Sequence, residues 1–477
     1  MNFKMIWYIL GWIMLFSAIF MLVPMITAIA YGETALFSFL AAAVLSTAAG
    51  LFFVVRKPEK RTLHARDGFV IVSLSWIVLS LFGALPFVFS GAIPDFVDAL
   101  FETVSGFTTT GATILKDVEN LPKSILMWRS FTHWIGGMGV LVFIMAFVSL
   151  SGGQNMHIMR AESPGPSVSK LVPRIRTTAA ILYGIYMTLT IVLLILLLCG
   201  GMNFFDALNT AFSTAGTGGF GFRNDSMAGF SPYIQVVVTV FMLLFSVNFS
   251  SYYLILKGRF KDTFNSEFRW FIAIVIVTVA IITINISGMY GSPGEALRHA
   301  FFTVSAIMST TGFAVTNHNQ WPELSRCLIV ILTFLGACAG STCGGIKISR
   351  IIILIKGIGK ELEMLVHPRQ VKKIMIDGNA IGHDVVRSVN VYMVCYVMIY
   401  VVSMLVLSFD NHDFITNFTA VAATINNVGP GLELVGPLGN FGFFSPISKL
   451  VFIFDMLAGR LELFPVLVLL SPATWKK

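Results

Sequence analysis

The chain has 477 residues, 56% of them hydrophobic and only 12% charged, against about 25% charged in an ordinary soluble domain. That much apolar surface excludes a water-soluble fold of this size and makes the chain an integral membrane protein. The formal charge of +8 does not point to nucleic acid. The basic residues gather in short segments between apolar runs, such as Arg56, Lys57, Lys60, Arg61 and Arg66, as a positive-inside bias produces.

A spanning helix needs about 20 apolar residues. The first run, Ile6 to Tyr31, is too long for a signal-peptide core and has no clear cleavage site, so it reads as a retained helix. With a second span at 34–55 it forms an N-terminal two-helix segment, 1–66. Four units of long span, short run and long span follow. They are 68–91, 95–107 and 125–149 (unit 67–152); 178–200, 203–215 and 232–256 (unit 177–260); 269–290, 294–309 and 326–355 (unit 266–357); and 388–408, 413–425 and 446–471 (unit 385–472). Ten spans result, and short runs of about 10–14 residues read as re-entrant segments. Each short run opens on an acidic or amide residue, passes through small and apolar residues, and closes in a Thr- or Asn-rich turn with glycine. The fold class is therefore an all-α membrane protein. Four pseudo-symmetric helix–pore-loop–helix repeats surround one pore, preceded by two extra transmembrane helices.

Loop charge sets the orientation. With the N-terminus in the cytoplasm, the inner loops hold Arg56 to Arg66; Arg160, Lys170, Arg174 and Arg176; Lys257, Arg259, Lys261 and Arg269; Lys356, Lys360, Arg369, Lys372, Lys373 and Arg387; and Lys476 with Lys477. The outer loops hold fewer, namely Lys116, Lys123, Arg129, Arg223, Arg298 and Arg326. Both termini are expected inside and the re-entrant turns outside.

Irregular backbone at membrane depth is tolerated only where protein buries it or it lines a water-filled cavity. Four convergent glycine turns would meet that condition, with carbonyl oxygens replacing the hydration shell of a cation. The partially negative C-terminal ends of the half-helices would face it. The competing reading is that these glycines only let helices pack closely. The turns hold no carboxylate, which favours a monovalent over a divalent ion. Asp98, Glu102, Asp206 and Glu295 lie near the half-helix starts and read as capping or dipole-pairing residues.

The turns Thr108-Thr-Thr-Gly-Ala-Thr113, Thr217-Gly-Gly-Phe220, Ser309-Thr-Thr-Gly-Phe313 and Asn427-Val-Gly-Pro-Gly431 resemble the four filter loops of the Trk/Ktr/HKT potassium-transporter superfamily. His133-Trp-Ile-Gly-Gly-Met-Gly139 and Gly340-Ser-Thr-Cys-Gly-Gly-Ile-Lys-Ile-Ser-Arg350 narrow the resemblance to Trk/Ktr pore subunits, and the two extra N-terminal helices favour the Trk type. The resemblance spans essentially the whole chain. It implies potassium uptake across the bacterial inner membrane, a homodimer with one pore per subunit, and a cytosolic nucleotide-binding regulatory ring (TrkA-like) on the inner face. It implies a potassium filter of Thr109, Thr110, Gly111, Thr217, Gly218, Gly219, Thr311, Gly312, Asn427, Val428 and Gly429. In the second repeat, matching Thr-Gly gives Gly218 as the filter glycine, whereas matching Gly-Phe gives Gly219. No turn carries a full Thr-Val-Gly-Tyr-Gly run, so discrimination against sodium or rubidium is expected to be weaker than in tetrameric potassium channels.

The span 326–355 is interrupted by Gly336-Ala-Cys-Ala-Gly-Ser-Thr-Cys-Gly-Gly345, a poor helix interior at about 1 kcal/mol per glycine relative to alanine. It reads either as close helix packing or as an unwound loop crossing the pore, and the resemblance favours a gating loop. Arg460, inside the apolar run Val451 to Leu470, is an intramembrane charge and by default functional. Its expected partners are carbonyls of the 336–345 loop, or Asp455 and Glu462. The gate is thus assigned to Gly336, Gly340, Ser341, Thr342, Gly344, Gly345 and Arg460. Lys347 either snorkels to the inner interface or adds to the barrier.

Other motifs fail. The Gly340–Ser349 run lacks phosphate-loop spacing because Ile346 separates glycine from lysine. The five cysteines imply no disulfide framework, and Cys338 with Cys343 make no zinc site. His133 reads as a satisfied structural histidine. No enzyme is indicated, no nucleotide is expected on this chain, and any nucleotide dependence would come from a separate subunit docked on the basic segment 357–386. The rival function is a secondary transporter coupled to protons or sodium. The common orientation of the four repeats favours a pore.

Overall fold

The computed structural model describes residues 1–58, 63–139, 175–369 and 373–476. Lys60, Arg61, Arg160, Lys170, Arg174, Lys372, Lys477 and the 140–152 end of the first repeat lie outside the described residues.

The N-terminal pair is a 29-residue span, Phe3–Tyr31, and its return helix Leu36–Val54. They cross closely at Gly11 and Gly50, where a Cβ on either would come within 2.9 Å of the other's carbonyl oxygen. Phe3 stacks on Trp475 with ring centroids 6.4 Å apart, and Arg66 Nη1 donates to Lys476 O at 3.4 Å. The two chain ends therefore lie on one face. Each repeat opens with a long apolar helix, Ala65–Phe89, Ile175–Cys199, Ser266–Ile286 or His383–Leu407. Outward side chains such as Ile26, Ile284 and Leu405 are exposed, as a lipid-facing surface requires and a water-facing one would not tolerate.

The short runs fold as four half-helices, Phe96–Phe107, Phe204–Ala215, Pro293–Met308 and Phe414–Ile425. Each begins at a side-chain N-cap, Asp95, Asn203, Ser292 or Asp413, that accepts from the backbone N–H three residues on. Asp98, Asp206 and Glu295 stand in the first turn, where a carboxylate favours the helix dipole.

The second helices depart from the expected continuous spans. Lys123–Gly137, Pro232–Ser246, Glu323–Leu335 and Pro446–Arg460 have 15, 15, 13 and 15 residues, too short to cross alone. In the first repeat Gly139 turns left-handed at φ 79°. In the second the chain bends by 90° into Phe249–Leu256. The third opens into the loop 336–347 before Ile348–Val366. The fourth is interrupted at the left-handed Glu462 and Leu463 before Phe464–Leu470. Six described helices are long and apolar enough to cross a membrane, or seven counting the bent pair, where ten continuous spans were expected. One small departure from all-helical structure is a two-residue hairpin, Met375–Ile376 paired with Asn379–Ala380.

Candidate pore and gate

Every half-helix ends in the same way. The N–H groups of Thr110, Gly218, Thr311 and Val428 reach back to Ser105, Ser213, Ala306 and Ala423 at 2.9, 3.0, 2.8 and 2.8 Å. Those of Thr109, Thr217, Thr310 and Asn427 reach the carbonyls of Gly106, Thr214, Ile307 and Thr424 at 3.1, 3.0, 2.9 and 3.1 Å. This pair of bonds is the Schellman motif, which puts its C′ residue in the left-handed region. Glycine usually fills that place. Here three threonines and an asparagine do, at φ 56°, 54°, 53° and 54°. A β-branched residue there is an outlier, and such conformations cost roughly 1–3 kcal/mol each and cluster at functional sites. Two residues on, Gly111, Gly219, Gly312 and Gly429 are left-handed again, at φ 81°, 77°, 75° and 97°.

The four turns close into a ring. A Cβ on Gly111 would strike Gly218 O; on Gly219, Thr311 O; on Gly312, Val428 O; and on Gly429, Thr110 O. Each glycine thus abuts the carbonyl just before the equivalent glycine in the next repeat, in the order one, two, three, four, one. The register identifies Gly219 as the second repeat's equivalent of the other three glycines, while Gly218 matches Thr110, Thr311 and Val428. It also adds Thr310, missing from the expected set, as the counterpart of Thr109, Thr217 and Asn427. Aligning Ser309-Thr-Thr-Gly312 with Thr108-Thr-Thr-Gly111 would have found it. All four glycines line one cavity with Lys116, Arg129 and Arg223.

Buried groups tie the ring together from behind. Glu102 is no capping residue: it sits mid-helix and fully buried, paired with Arg129 at 2.9 Å. Its carboxylate also accepts from Thr113 Oγ1 at 2.9 Å and Ile114 N at 3.0 Å. Arg129 donates to Gly221 O at 3.0 Å and lies over the Phe220 ring, so the pair joins the chain leaving the first turn to the chain leaving the second. His133 is satisfied at both nitrogens: Nδ1 meets Gly106 O at 2.8 Å, and Nε2 accepts from Phe220 N at 3.2 Å. These partners assign a neutral ring with the proton on Nδ1, in keeping with a structural histidine.

The loop 336–347 lies against one side of the ring. Gly344 N donates to Thr310 Oγ1 at 2.9 Å, Thr217 Oγ1 meets Thr342 Oγ1 at 3.4 Å, and a Cβ on Gly344 would crowd Asn427. Three of the four left-handed side chains therefore touch or adjoin the loop. Thr109, the fourth, keeps its hydroxyl oxygen buried with no hydrogen-bond partner among the described residues. At the loop's neck a Cβ on Gly336 would meet Gly345 Cα at 3.0 Å. Arg460 donates to Thr342 O at 2.6 Å and to Gly136 O and Gly137 O at 2.5 and 2.8 Å. Of its two expected acidic partners, Glu462 pairs with Arg350 and Asp455 accepts from Ser403 Oγ at 2.8 Å. Lys347 does not snorkel: it is buried, and its ammonium donates to Cys343 O and Gly344 O. A second cavity is lined by Gly340, Ser341, Gly344, Gly345, Lys347 and Arg460. One cavity thus opens on the ring of glycines, and the other on the loop that touches the ring, with Lys347 and Arg460 in its lining. Such an arrangement can hold and pass a small cation.

The family described as TrkH, cation transport protein, matches residues 34–477. The chain belongs to that family. The TrkH relatives are similar over full length: a Trk system potassium uptake protein TrkH of Salmonella typhimurium is 37% identical, covering 100% of both chains, and that of Vibrio parahaemolyticus is 38% identical at the same coverage. Trk system potassium uptake protein TrkG of Escherichia coli is 34% identical over 99% of each chain. The crystal structure of the potassium transporter TrkH from Vibrio parahaemolyticus matches with a TM-score of 0.89 at 35% identity, covering 100% of both chains. TrkH membership makes this chain a multi-pass transport protein rather than an enzyme, with the fold that the repeats imply.

Proposed function

We propose that the chain takes up potassium across the bacterial cytoplasmic membrane, through a filter made by Thr109–Gly111, Thr217–Gly219, Thr310–Gly312 and Asn427–Gly429. The ring of four glycine turns, each abutting the next, carries this reading. Potassium sheds its hydration shell for backbone carbonyls, and the half-helices aim their negative ends at it. The Gly336–Lys347 loop and Arg460 form the gate. The arginine's hydrogen bonds to Thr342, Gly136 and Gly137 hold the loop beneath the filter, and its charge, with that of Lys347, opposes cation passage. The same reading puts both termini in the cytoplasm, pairs two chains into a homodimer with one pore each, and docks a cytosolic nucleotide-binding ring subunit (TrkA-like) on the basic face of 357–386.

The test is ion flux in proteoliposomes. Downhill potassium flux indifferent to an imposed pH or sodium gradient supports conduction, with sodium and rubidium fluxes giving the selectivity. Flux that follows the pH or sodium gradient replaces this reading with a coupled transporter. No potassium flux in any condition removes it.

A further inference from the structure

The gate loop is held by something besides Arg460. Glu267 stands in the first turn of the helix Ser266–Ile286 that opens the third repeat. Its Oε1 accepts from Ala339 N at 2.8 Å and from Ser349 N at 3.1 Å. One belongs to the loop itself, three residues past Gly336, the other to the first turn of the helix leaving it, so a single oxygen ties the loop to its exit helix. Backbone N–H groups in an irregular loop need partners when buried, and a carboxylate makes the stronger kind of bond.

The residue before this glutamate is held in turn. Ser266 donates to Asp377 Oδ1 from its backbone N at 2.9 Å and from its hydroxyl at 2.6 Å. Asp377 is the first of the two left-handed turn residues of the Met375–Ala380 hairpin, at φ 49° with Gly378 at φ 78°. The hairpin also accepts from Lys356 Nζ, at Met375 O, at 2.6 Å, and Lys356 lies on Ile348–Val366, the helix that leaves the gate loop. The hairpin therefore grips the helix start that carries the glutamate and the helix that carries the loop's exit.

We infer that Glu267 is a positioning residue that latches the gate loop shut, and that the Met375–Ala380 hairpin is the handle through which the cytosolic face reaches the latch. This rests on the gate and orientation proposed above. Pulling the hairpin moves Ser266 against Lys356, separates Glu267 from Ala339 or Ser349, and releases the neck. A partner that displaces the hairpin need not enter the membrane to open the pore.

The loop carries its own reporters, because Cys338 and Cys343 are buried on it while Cys199 and Cys327 are exposed and Cys395 is half-buried. In full-length protein with Cys199→Ser, Cys327→Ser and Cys395→Ser, the reaction of the two loop thiols with a charged methanethiosulfonate reagent is followed from the hairpin side in proteoliposomes, beside potassium flux. Glu267→Ala is expected to raise both labelling rate and flux at least about tenfold, from the loss of two charge-assisted bonds. Glu267→Gln keeps an acceptor oxygen on the same stem but trades two charge-assisted bonds for neutral ones, and is expected to give a clearly smaller rise than Glu267→Ala. Asp377→Ala, at an exposed hairpin, is expected to give an intermediate rise and decides the matter if Glu267→Ala does not assemble. Thiols as protected as in the parent in every variant that assembles overturn the latch, and equal exposure in the Gln and Ala variants overturns it as general packing damage. Arg460→Ala separates the two readings: raised flux there with loop thiols still protected in the Glu267 and Asp377 variants sinks the latch and leaves the gate, whereas no rise in Arg460→Ala, Glu267→Ala or Asp377→Ala sinks both.

Discussion

The proposed filter and the proposed gate are built on opposite plans. In the proposed filter the backbone repeats four times while the side chains vary: Thr110, Gly218, Thr311 and Val428 make the same backbone hydrogen bond, and each offers its carbonyl to the glycine of the preceding repeat. In the gate the backbone is irregular and occurs once, and individual side chains hold it: Arg460, Lys347 and Glu267. A bare cation on an axis needs equivalent oxygens around it, so the peptide group supplies them and the pattern must recur. A barrier needs only one obstruction with a few bonds to break, so it is free to sit in a single repeat. The ring is therefore expected to fail on any change of backbone shape, and the gate on the loss of a side chain.

The largest effect should come from Gly111→Ala or Gly219→Ala. The new methyl would drive into the carbonyl of Gly218 or Thr311 and would also need the left-handed conformation that L side chains rarely adopt. Strain above about 4 kcal/mol belongs to the exceptional class of substitutions, so potassium flux in a protein that still assembles should drop more than about 100-fold. Near-normal flux would mean that the ring is not the ion path.

Next comes the pair behind the ring. Arg129→Met leaves the Glu102 carboxylate buried without its cation, and breaking such a pair typically costs about 3–5 kcal/mol. Thermal unfolding in detergent should show a clear loss of stability, largely recovered by Glu102→Gln with Arg129→Met. Both variants should discriminate less well against sodium, because the first and second turns lose their common tie at Ile114 and Gly221. Recovery of stability without loss of selectivity would reduce the pair to a structural role.

Arg460→Ala tests the gate half of the comparison. It removes three bonds to carbonyls of the loop and of the first repeat. One charged hydrogen bond is worth about 1.5–3 kcal/mol, so flux without any regulatory subunit should rise at least about tenfold. Unchanged or lower flux in a well-folded variant would count against a closing role.

The contrast also governs what could be read from sequence. The four turns were legible because repetition marks them and glycine is the residue their φ angles require. The break in the third repeat was legible because a glycine-rich run is a poor helix interior, although close helix packing stood as a rival reading, and Arg460 because charge at membrane depth is rare. The breaks of the second and fourth repeats were not. Val247 and Asn248 interrupt one helix and Glu462 with Leu463 the other, with no glycine or proline at the break itself, so hydropathy runs straight through. Glu102 was misread because its partner Arg129 lies 27 residues away and local spacing favours a cap. Glu267 was passed over because an acid in a first helical turn ordinarily needs no further explanation.

The smallest effect concerns a side chain that joins the ring to the helix ending in Arg460. Asn427 takes the left-handed place that threonine takes in the other three repeats. Its Nδ2 donates both to Thr110 Oγ1 and to Met456 O, each at 2.9 Å. Thr110 belongs to the ring, and Met456 lies on the helix that ends in Arg460. Asn427→Thr would make the ring uniform in its left-handed residues, yet would lose both bonds, since a threonine hydroxyl cannot reach as far as the amide. Each neutral hydrogen bond is worth about 0.5–1.5 kcal/mol, and asparagine tolerates φ above zero better than threonine. Potassium flux should therefore change by no more than about tenfold, with a larger fractional loss of discrimination against sodium than of flux. If filter and gate communicate through this helix, combining Asn427→Thr with Arg460→Ala should give less than the product of the two separate effects on flux. A strictly multiplicative result would show that the ring and the arginine act independently, and that the asparagine serves the filter alone.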